Sequence, residues 1–150
     1  MSDAPQIPAN ITLDDMICFS LYSASNAMIR AYRPMLDALN LTYPQYLVML
    51  VMWERKCLSV KALGEKLHLD SGTLTPLLKR LESKGLVIRR RSETDERVRE
   101  ISLTDEGKAM QQQAAQVPAS LLCKVDMPLT SLKTLKDTCD ALYAALSGLE

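Results

Sequence analysis

The sequence of 150 residues has little of what membrane proteins, zinc proteins and secreted disulfide proteins require. Its longest apolar run, residues 46–53, is far shorter than the ~20 residues that span a bilayer, and its first ten residues lack the basic and apolar regions of a secretory signal. One histidine and four cysteines without a C-x-x-C pair form no metal-binding pattern. We therefore expect a cytoplasmic protein with free thiols and with no metal or other cofactor.

Charge is balanced over the whole chain but not along it. The 18 basic and 18 acidic residues give a formal net charge of zero, which excludes a uniformly basic chain or a disordered acidic tail. Between Arg55 and Arg99, however, twelve basic residues stand against six acidic ones, so this stretch carries +6 and the flanks together carry −6. Positive charge is therefore concentrated in the middle of the chain, and negative charge in its two flanks.

Hydrophobic periodicity and capping residues predict a mainly α-helical chain with a small β-hairpin. Thr12 followed by Asp15 is a helix-start signal, and the period changes to two within residues 86–103. The predicted elements, in chain order, are a helix from 12 to about 33 that Pro34 kinks or ends, helices at 43–55, 60–67 and from 70 or 71 to before Gly85, a hairpin at 86–103 with its turn at 92–96, a helix from 105 to about 122 interrupted near Pro118, and a last helix introduced by 128–132.

The two short helices and the hairpin form the arrangement of a winged helix-turn-helix, and they coincide with the basic stretch. In the second short helix, four leucines at i, i+3, i+4 and i+7 predict a buried stripe: Leu74, Leu77, Leu78 and Leu81. The opposite side presents small, hydroxyl-bearing and basic residues, which suit base edges and phosphates: Gly72, Thr75, Lys79, Arg80 and Ser83. Pro76 requires this helix to begin as late as Gly72 or Thr73, or to bend. These features predict binding to double-stranded DNA.

The hairpin turn carries Asp95 two residues before Arg97. At this spacing the carboxylate can hold the turn while the guanidinium reaches into a minor groove. We therefore expect the wing tip to contact DNA through Arg97.

Three stretches of the chain resemble the MarR family of dimeric winged-helix repressors, in the branch of organic-hydroperoxide resistance regulators: LDSGTLTPLLKRLE at 69–82, RRRSETDER at 89–97 and CFSLY at 18–22. The resemblance extends over residues 14–146. It implies one domain over 1–150, with a winged helix-turn-helix at 56–103 and with dimerisation and sensor helices at 12–34 and 105–148. It also implies DNA contacts from the helix start and the wing: Ser71, Gly72, Thr73, Thr75, Asp95 and Arg97.

The same resemblance implies a redox sensor. Cys18 matches the peroxide-reactive cysteine of that branch, and Cys123 matches the resolving cysteine of its two-cysteine subgroup. Tyr32 and Tyr43 match tyrosines that hydrogen-bond to the reactive thiol, and Tyr22 lies nearby. The implied function is a repressor that leaves its pseudo-palindromic operator when an organic hydroperoxide oxidises Cys18 and a Cys18–Cys123 disulfide follows.

The spacing of Cys18 and Tyr32 restricts how such a sensor is built. A cysteine reacts with peroxide as the thiolate, and no basic residue lies within a helical turn of Cys18, which leaves the helix dipole and tyrosine hydroxyls to stabilise the anion. Fourteen residues of helix separate Cys18 from Tyr32, about 21 Å at 1.5 Å per residue. Tyr32 can therefore serve only the thiol of a second protomer, which predicts an isologous homodimer.

Two other functions remain open from the sequence. A MarR-type repressor can instead respond to reversible binding of a small aromatic ligand, and a response that persists without the Cys18 thiol would favour this. A thiol peroxidase is the enzymatic alternative. It is disfavoured because the chain has no thioredoxin-like βαβ pattern and no basic residue beside Cys18. The sequence therefore predicts a regulator and not an enzyme.

Overall fold

The computed structural model describes residue 4, residue 6 and residues 9–148. Its elements, in chain order, are a 3₁₀ turn Leu13–Asp15, α1 Ile17–Asp37, α2 Tyr43–Arg55, β1 Cys57–Ser59, α3 Val60–Leu67, α4 Ser71–Ser83, β2 Val87–Arg91, β3 Arg99–Leu103, α5 Asp105–Ala114, α6 Val117–Lys124 and α7 Leu129–Ser147. The chain divides into two compact units, Met1–Val117 and Pro118–Glu150. In the part of the chain that is described, no helix is long and apolar enough to cross a membrane. The predicted class, mainly α-helical with a small β-hairpin wing, is confirmed.

Local side-chain caps begin four helices where the sequence predicts them. At α2, Thr42 Oγ1 accepts the Gln45 N–H at 3.3 Å, while Gln45 Oε1 accepts the Thr42 N–H at 3.1 Å. Before α3, α4 and α5, the side chains of Ser59, Asp70 and Thr104 each accept a backbone N–H three residues on. Each cap satisfies a donor that the helix itself leaves open, which fixes the helix start.

The first helix differs from its prediction at both ends. Thr12 and Asp15 do form a capping interaction, in which the Thr12 N–H and hydroxyl donate to Asp15 Oδ2 at 3.1 and 2.9 Å, but this closes only the 3₁₀ turn. Met16 is extended, with φ −91° and ψ 112°, so α1 starts after it. Pro34 does not end α1, because Leu36 beyond it is buried in the core and this packing outweighs the missing backbone hydrogen bond.

The hairpin is confirmed, and a third strand joins it. β2 and β3 are antiparallel, with Val87 opposite Leu103. β1, which the sequence analysis missed, pairs antiparallel with β3 and places Leu58 opposite Ile101, so the sheet order is β1-β3-β2. A strand of three residues whose partner lies far along the chain leaves no periodic signal in its own sequence.

The core of the first unit surrounds α2, which is buried through residues such as Tyr46, Met49 and Met52. The predicted leucine stripe of α4 is confirmed, since all four of its members are buried. The indole N–H of Trp53 donates to the carbonyl of Gly107 at 2.8 Å and joins α2 to α5. The helix and hairpin that the sequence predicts to read DNA thus belong to the same packed unit as the helix that carries Tyr43.

The two longest helices bury almost nothing within the described chain. α1 has one buried residue, Leu36, among its 21, and α7 has none among its 19. Large apolar side chains are exposed on both: Ile17, Phe19 and Met28 on α1, and Leu135, Leu142 and Leu146 on α7. Exposed apolar faces of this extent mark surfaces that bind another surface.

Candidate DNA interface and thiol site

The first turn of α4 presents small polar residues to solvent. Asp70 Oδ1 accepts the Thr73 N–H at 2.7 Å, and this hydrogen bond lowers the pKa of the Asp70 carboxyl. Ser71, Gly72 and Thr73 are exposed, while Thr75 is half-buried and donates its hydroxyl to the Ser71 carbonyl at 2.7 Å. The four residues expected to contact bases therefore lie together at the start of one helix.

Glycine at position 72 leaves this backbone open. A Cβ atom at this position would lie 3.5 Å from Asp70 Oδ1, which is an ordinary van der Waals distance. Within the described residues, and apart from the local backbone of the helix, it would meet no other atom within 4 Å. Because α4 begins at Ser71, Pro76 is its sixth residue and cannot donate to the Gly72 carbonyl. The fold thus has room for a side chain at 72, and its absence allows another molecule to approach the backbone closely.

Basic side chains continue the same face of α4. Lys79 and Arg80 are exposed on the side away from the leucine stripe. Basic residues beyond the base-reading turn neutralise phosphates and add affinity that does not depend on base sequence. Both residues lie where the sequence analysis expected them.

Arg89, on the first strand of the wing, is paired with an acidic residue of α4. Its backbone N–H donates to Glu82 Oε2 at 3.0 Å, and its Nη2 donates to Glu82 Oε1 at 3.3 Å. These hydrogen bonds, together with the charge of Arg89, lower the pKa of the Glu82 carboxyl. The pair joins β2 to α4 and so holds the wing against that helix. The sequence analysis missed it, because periodicity groups residues within one helix or one strand and this contact joins a helix to a strand.

The wing tip has the geometry expected of Asp95 and Arg97. Asp95 Oδ1 accepts the Arg97 N–H at 3.0 Å and lies 3.5 Å from Arg97 Nε. The Arg97 side chain is 92% exposed. The turn is further closed by Ser92, whose N–H donates to the Val98 carbonyl at 2.7 Å. The carboxylate therefore holds the backbone while the guanidinium projects into solvent at the end of the hairpin.

Cys18 is the second residue of α1 and is exposed as a free thiol. This position places it at the positive end of the helix dipole, which favours negative charge. Tyr22, one turn further along α1, is 67% exposed. Cys123 is an exposed free cysteine on α6.

Three tyrosines form a cluster around the end of α1 and the start of α2. The rings of Tyr32 and Tyr43 lie 5.1 Å apart between centroids, and those of Tyr32 and Tyr46 lie 5.8 Å apart. Burial, with the neighbouring tyrosines, raises the pKa of Tyr32 to about 12, and burial raises the pKa of Tyr43. Both hydroxyls therefore stay protonated at neutral pH and can donate hydrogen bonds. Tyr46 was missed, although its spacing of three from Tyr43 on α2 was available as a signal.

The protomer brings Tyr32 and Tyr43 together but keeps them away from its own Cys18. Cys18 and Tyr32 stand near opposite ends of the continuous helix α1, about 21 Å apart by helical rise. Tyr22 is also outside the cluster. Beside Tyr43 is a cavity of about 220 Å³ whose lining is mixed, with the apolar Ile29 and Leu41 and the charged Arg33 and Asp37.

The described residues contain no group of three or more His, Cys, Asp or Glu side chains that could hold a metal ion.

Comparison with known proteins identifies the family. The family model of the transcriptional regulators SarA/Rot matches residues 30–114. The organic hydroperoxide resistance transcriptional regulator of Bacillus subtilis (strain 168) is 47% identical over 140 residues, and the match covers 93% of each chain.

Two solved structures of AbfR, a protein of Staphylococcus epidermidis, are similar over most of this chain. Reduced AbfR bound to DNA is 34% identical with a TM-score of 0.77, and the match covers 89% of this chain and 94% of that one. AbfR with its disulfide formed is 36% identical with a TM-score of 0.66, and the match covers 87% of this chain and 92% of that one. The chain therefore belongs to the MarR family of winged-helix transcriptional regulators, in the branch of the organic hydroperoxide resistance regulators.

Proposed function

We propose that this chain is a redox-sensing repressor that binds operator DNA as a homodimer while Cys18 is reduced, and releases it when an organic hydroperoxide oxidises Cys18. The observation that carries the proposal is the placement of Cys18 and the Tyr32–Tyr43 pair towards opposite ends of α1, in a unit that also holds a DNA-reading helix and wing. The relatives support it, since AbfR is known reduced on DNA and in disulfide form.

The DNA interface consists of the α4 start and the wing tip. Ser71, Gly72, Thr73 and Thr75 face base edges in the major groove, and Arg97, held by Asp95, enters the adjacent minor groove. Lys79 and Arg80 neutralise phosphates of the DNA backbone beside the groove. In a two-fold dimer the two recognition helices read half-sites about one helical turn apart, which corresponds to a pseudo-palindromic operator.

The dimer completes the sensor. Two α1 helices that cross antiparallel place the Cys18 of one protomer beside the Tyr32 and Tyr43 of its partner and cover the exposed apolar side chains of α1. We assign the helices of 12–34 and 105–148 to dimerisation and sensing, and 56–103 to DNA binding, within one MarR-type domain. We also assign Tyr22, exposed one turn from Cys18, to this sensor.

The chemistry requires only the thiols and the peroxide. The Cys18 thiolate attacks the terminal oxygen of the hydroperoxide and becomes the sulfenic acid as the O–O bond breaks, and the alkoxide that leaves takes a proton from water to become the alcohol. The Cys123 thiol then displaces the hydroxyl of the Cys18 sulfenic acid, which forms the disulfide and releases water. A disulfide needs Cα atoms within about 7 Å, so its formation fixes a conformation in which the half-site spacing is lost.

This cycle is a stoichiometric switch and not an enzymatic turnover, because each protomer consumes one hydroperoxide and then waits for a reductant. The regulator acts in the cytoplasm, where operator DNA and thiol reductants are present together.

The test is a titration of DNA binding with cumene hydroperoxide, for the wild type and Cys18→Ser. The duplex is one that the reduced wild type selects from a random-sequence library. Wild type should release the duplex and Cys18→Ser should retain it at every peroxide concentration. Release by Cys18→Ser would contradict redox sensing, and release of the same variant by an aromatic acid would favour ligand induction instead.

A further inference from the structure

Lys84 joins the recognition helix to the turn that carries Tyr43. It is the C-cap residue of α4 and directly precedes Gly85, which turns the chain into the wing with φ 75°. Its Nζ donates to Gln45 Oε1 at 2.7 Å and to the carbonyl of Asn40 at 2.5 Å. Asn40 lies in the loop between α1 and α2, and Gln45 lies in the first turn of α2.

Gln45 connects this contact to the tyrosine. Its side chain is buried, and the Oε1 that accepts from Lys84 also accepts the Thr42 N–H at 3.1 Å. That second hydrogen bond belongs to the capping box of α2, and Tyr43 is the first residue of α2. One oxygen atom therefore holds both the Lys84 ammonium and the turn that orients Tyr43.

The backbone of Lys84 is also held in place. Its backbone N–H donates to the Arg80 carbonyl at 3.1 Å, so the residue moves with the last turn of α4. Partial burial and the charge of Arg80 lower the pKa of the Lys84 ammonium. Charge-assisted hydrogen bonds of this kind resist displacement more than neutral ones.

We propose that Lys84 is a positioning residue that couples the tyrosine cluster to the recognition helix. The proposal rests on the proposed function, because the signal begins with oxidation of Cys18. When the reduced thiol no longer holds Tyr43, the first turn of α2 shifts, and the shared Gln45 oxygen transmits the shift through Lys84 to the joint between α4 and β2. Lys84 touches neither the peroxide nor a base.

The experiment compares three variants on the same selected duplex. Lys84→Met keeps the length of the side chain and removes its donors, Lys84→Arg restores a cationic donor, and Lys108→Met removes an exposed lysine of α5 as a control. The Kd for DNA is measured by fluorescence anisotropy for reduced protein and for protein oxidised with cumene hydroperoxide. The rate of Cys18 oxidation is followed by mass spectrometry, and the salt dependence of Kd is recorded.

For Lys84→Met we expect the ratio of oxidised to reduced Kd to fall at least about fivefold below that of the wild type, the lower end of ordinary allosteric coupling. The oxidation rate of Cys18 and the salt slope of the reduced protein should equal those of the wild type. Lys84→Arg should regain most of the ratio, and Lys108→Met should keep all of it. If Lys84→Met does not fold, Lys84→Ala replaces it, since it also removes the donors, and the same fall in the ratio is expected.

An unchanged ratio in a folded Lys84→Met or Lys84→Ala protein would overturn the coupling role while leaving redox sensing intact. A weaker reduced complex with a smaller salt slope would also overturn it, since Lys84 would then be a phosphate contact. Wild-type protein that stays on DNA after oxidation would overturn the proposed function together with this inference.

Discussion

Replacing Gly72 by alanine separates the stability of the fold from the binding of DNA. Position 72 is exposed in the first turn of α4, and the added methyl group lies 3.5 Å from Asp70 Oδ1, so the folded protein accepts it without rearrangement. Alanine is favoured over glycine in a helix by about 0.5–1 kcal/mol. For a protein of this size that difference raises the Tm by about 1–4 °C.

The same methyl group should weaken DNA binding. In the proposed interface it occupies the space through which the α4 backbone approaches the base edges, and loss of one good base contact costs about 1–3 kcal/mol. This corresponds to a Kd about five- to 150-fold higher at constant salt. Anisotropy titration of the selected duplex with reduced protein gives the Kd, and calorimetry gives the Tm.

Ser83→Ala is the matched control at the other end of α4. The sequence pattern put Ser83 on the same side of α4 as Gly72, but Ser83 lies eleven residues further along the helix, beyond its base-facing first turn, and its hydroxyl donates to the Lys79 carbonyl at 2.9 Å. Loss of this hydroxyl should therefore leave the Kd unchanged. If Gly72→Ala raises the Tm and leaves the Kd within about twofold of wild type, the start of α4 does not approach the bases as described.

Three further predictions concern the wing, the disulfide and acid stability. Arg97→Ala should weaken operator binding without changing the Tm, because the side chain is almost fully exposed, and equal affinity at physiological salt would remove the wing tip from the interface. Cys123→Ser should stop oxidation at the sulfenic or mixed-disulfide stage, and peroxide-treated wild type without a Cys18–Cys123 link by mass spectrometry would contradict that step. Because Arg89 lowers the pKa of Glu82, this pair stabilises the fold above the ordinary carboxyl value of 4.5 and ceases to do so as the pH falls through the lower folded value. Glu82→Gln should therefore flatten the acid side of the Tm–pH curve, and an unchanged curve would show that the pair does not contribute.

The parts of the fold that depend on neighbouring residues were predictable from the sequence. The starts of α2, α3 and α5 follow from Thr42, Ser59 and Thr104, since each cap is an interaction over three residues. The wing followed from alternating side chains. The start of α1 was not predictable in this way, because a capping box specifies a first turn and does not require the helix to continue beyond it.

Contacts between distant segments were not accessible to the same reasoning. β1 exists only because β3 offers an edge, and the Glu82–Arg89 pair exists only once α4 and β2 are packed together. The resemblance identified Cys18, Tyr32 and Tyr43, and helical rise showed that the first two cannot meet within one chain. Whether these residues act as expected depends on a second protomer, which no periodicity within one sequence describes.

The chain also carries its own optical probe. Trp53 is its one tryptophan, its indole N–H is bonded to Gly107, and its ring lies 6.4 Å from that of Tyr46, within the cluster that includes Tyr32. Excitation energy absorbed by the tyrosine rings can transfer to the indole over such short distances. The emission of unlabelled protein should therefore report any rearrangement between the tyrosines and α5, so that the response to peroxide can be timed in a stopped-flow instrument without an attached dye.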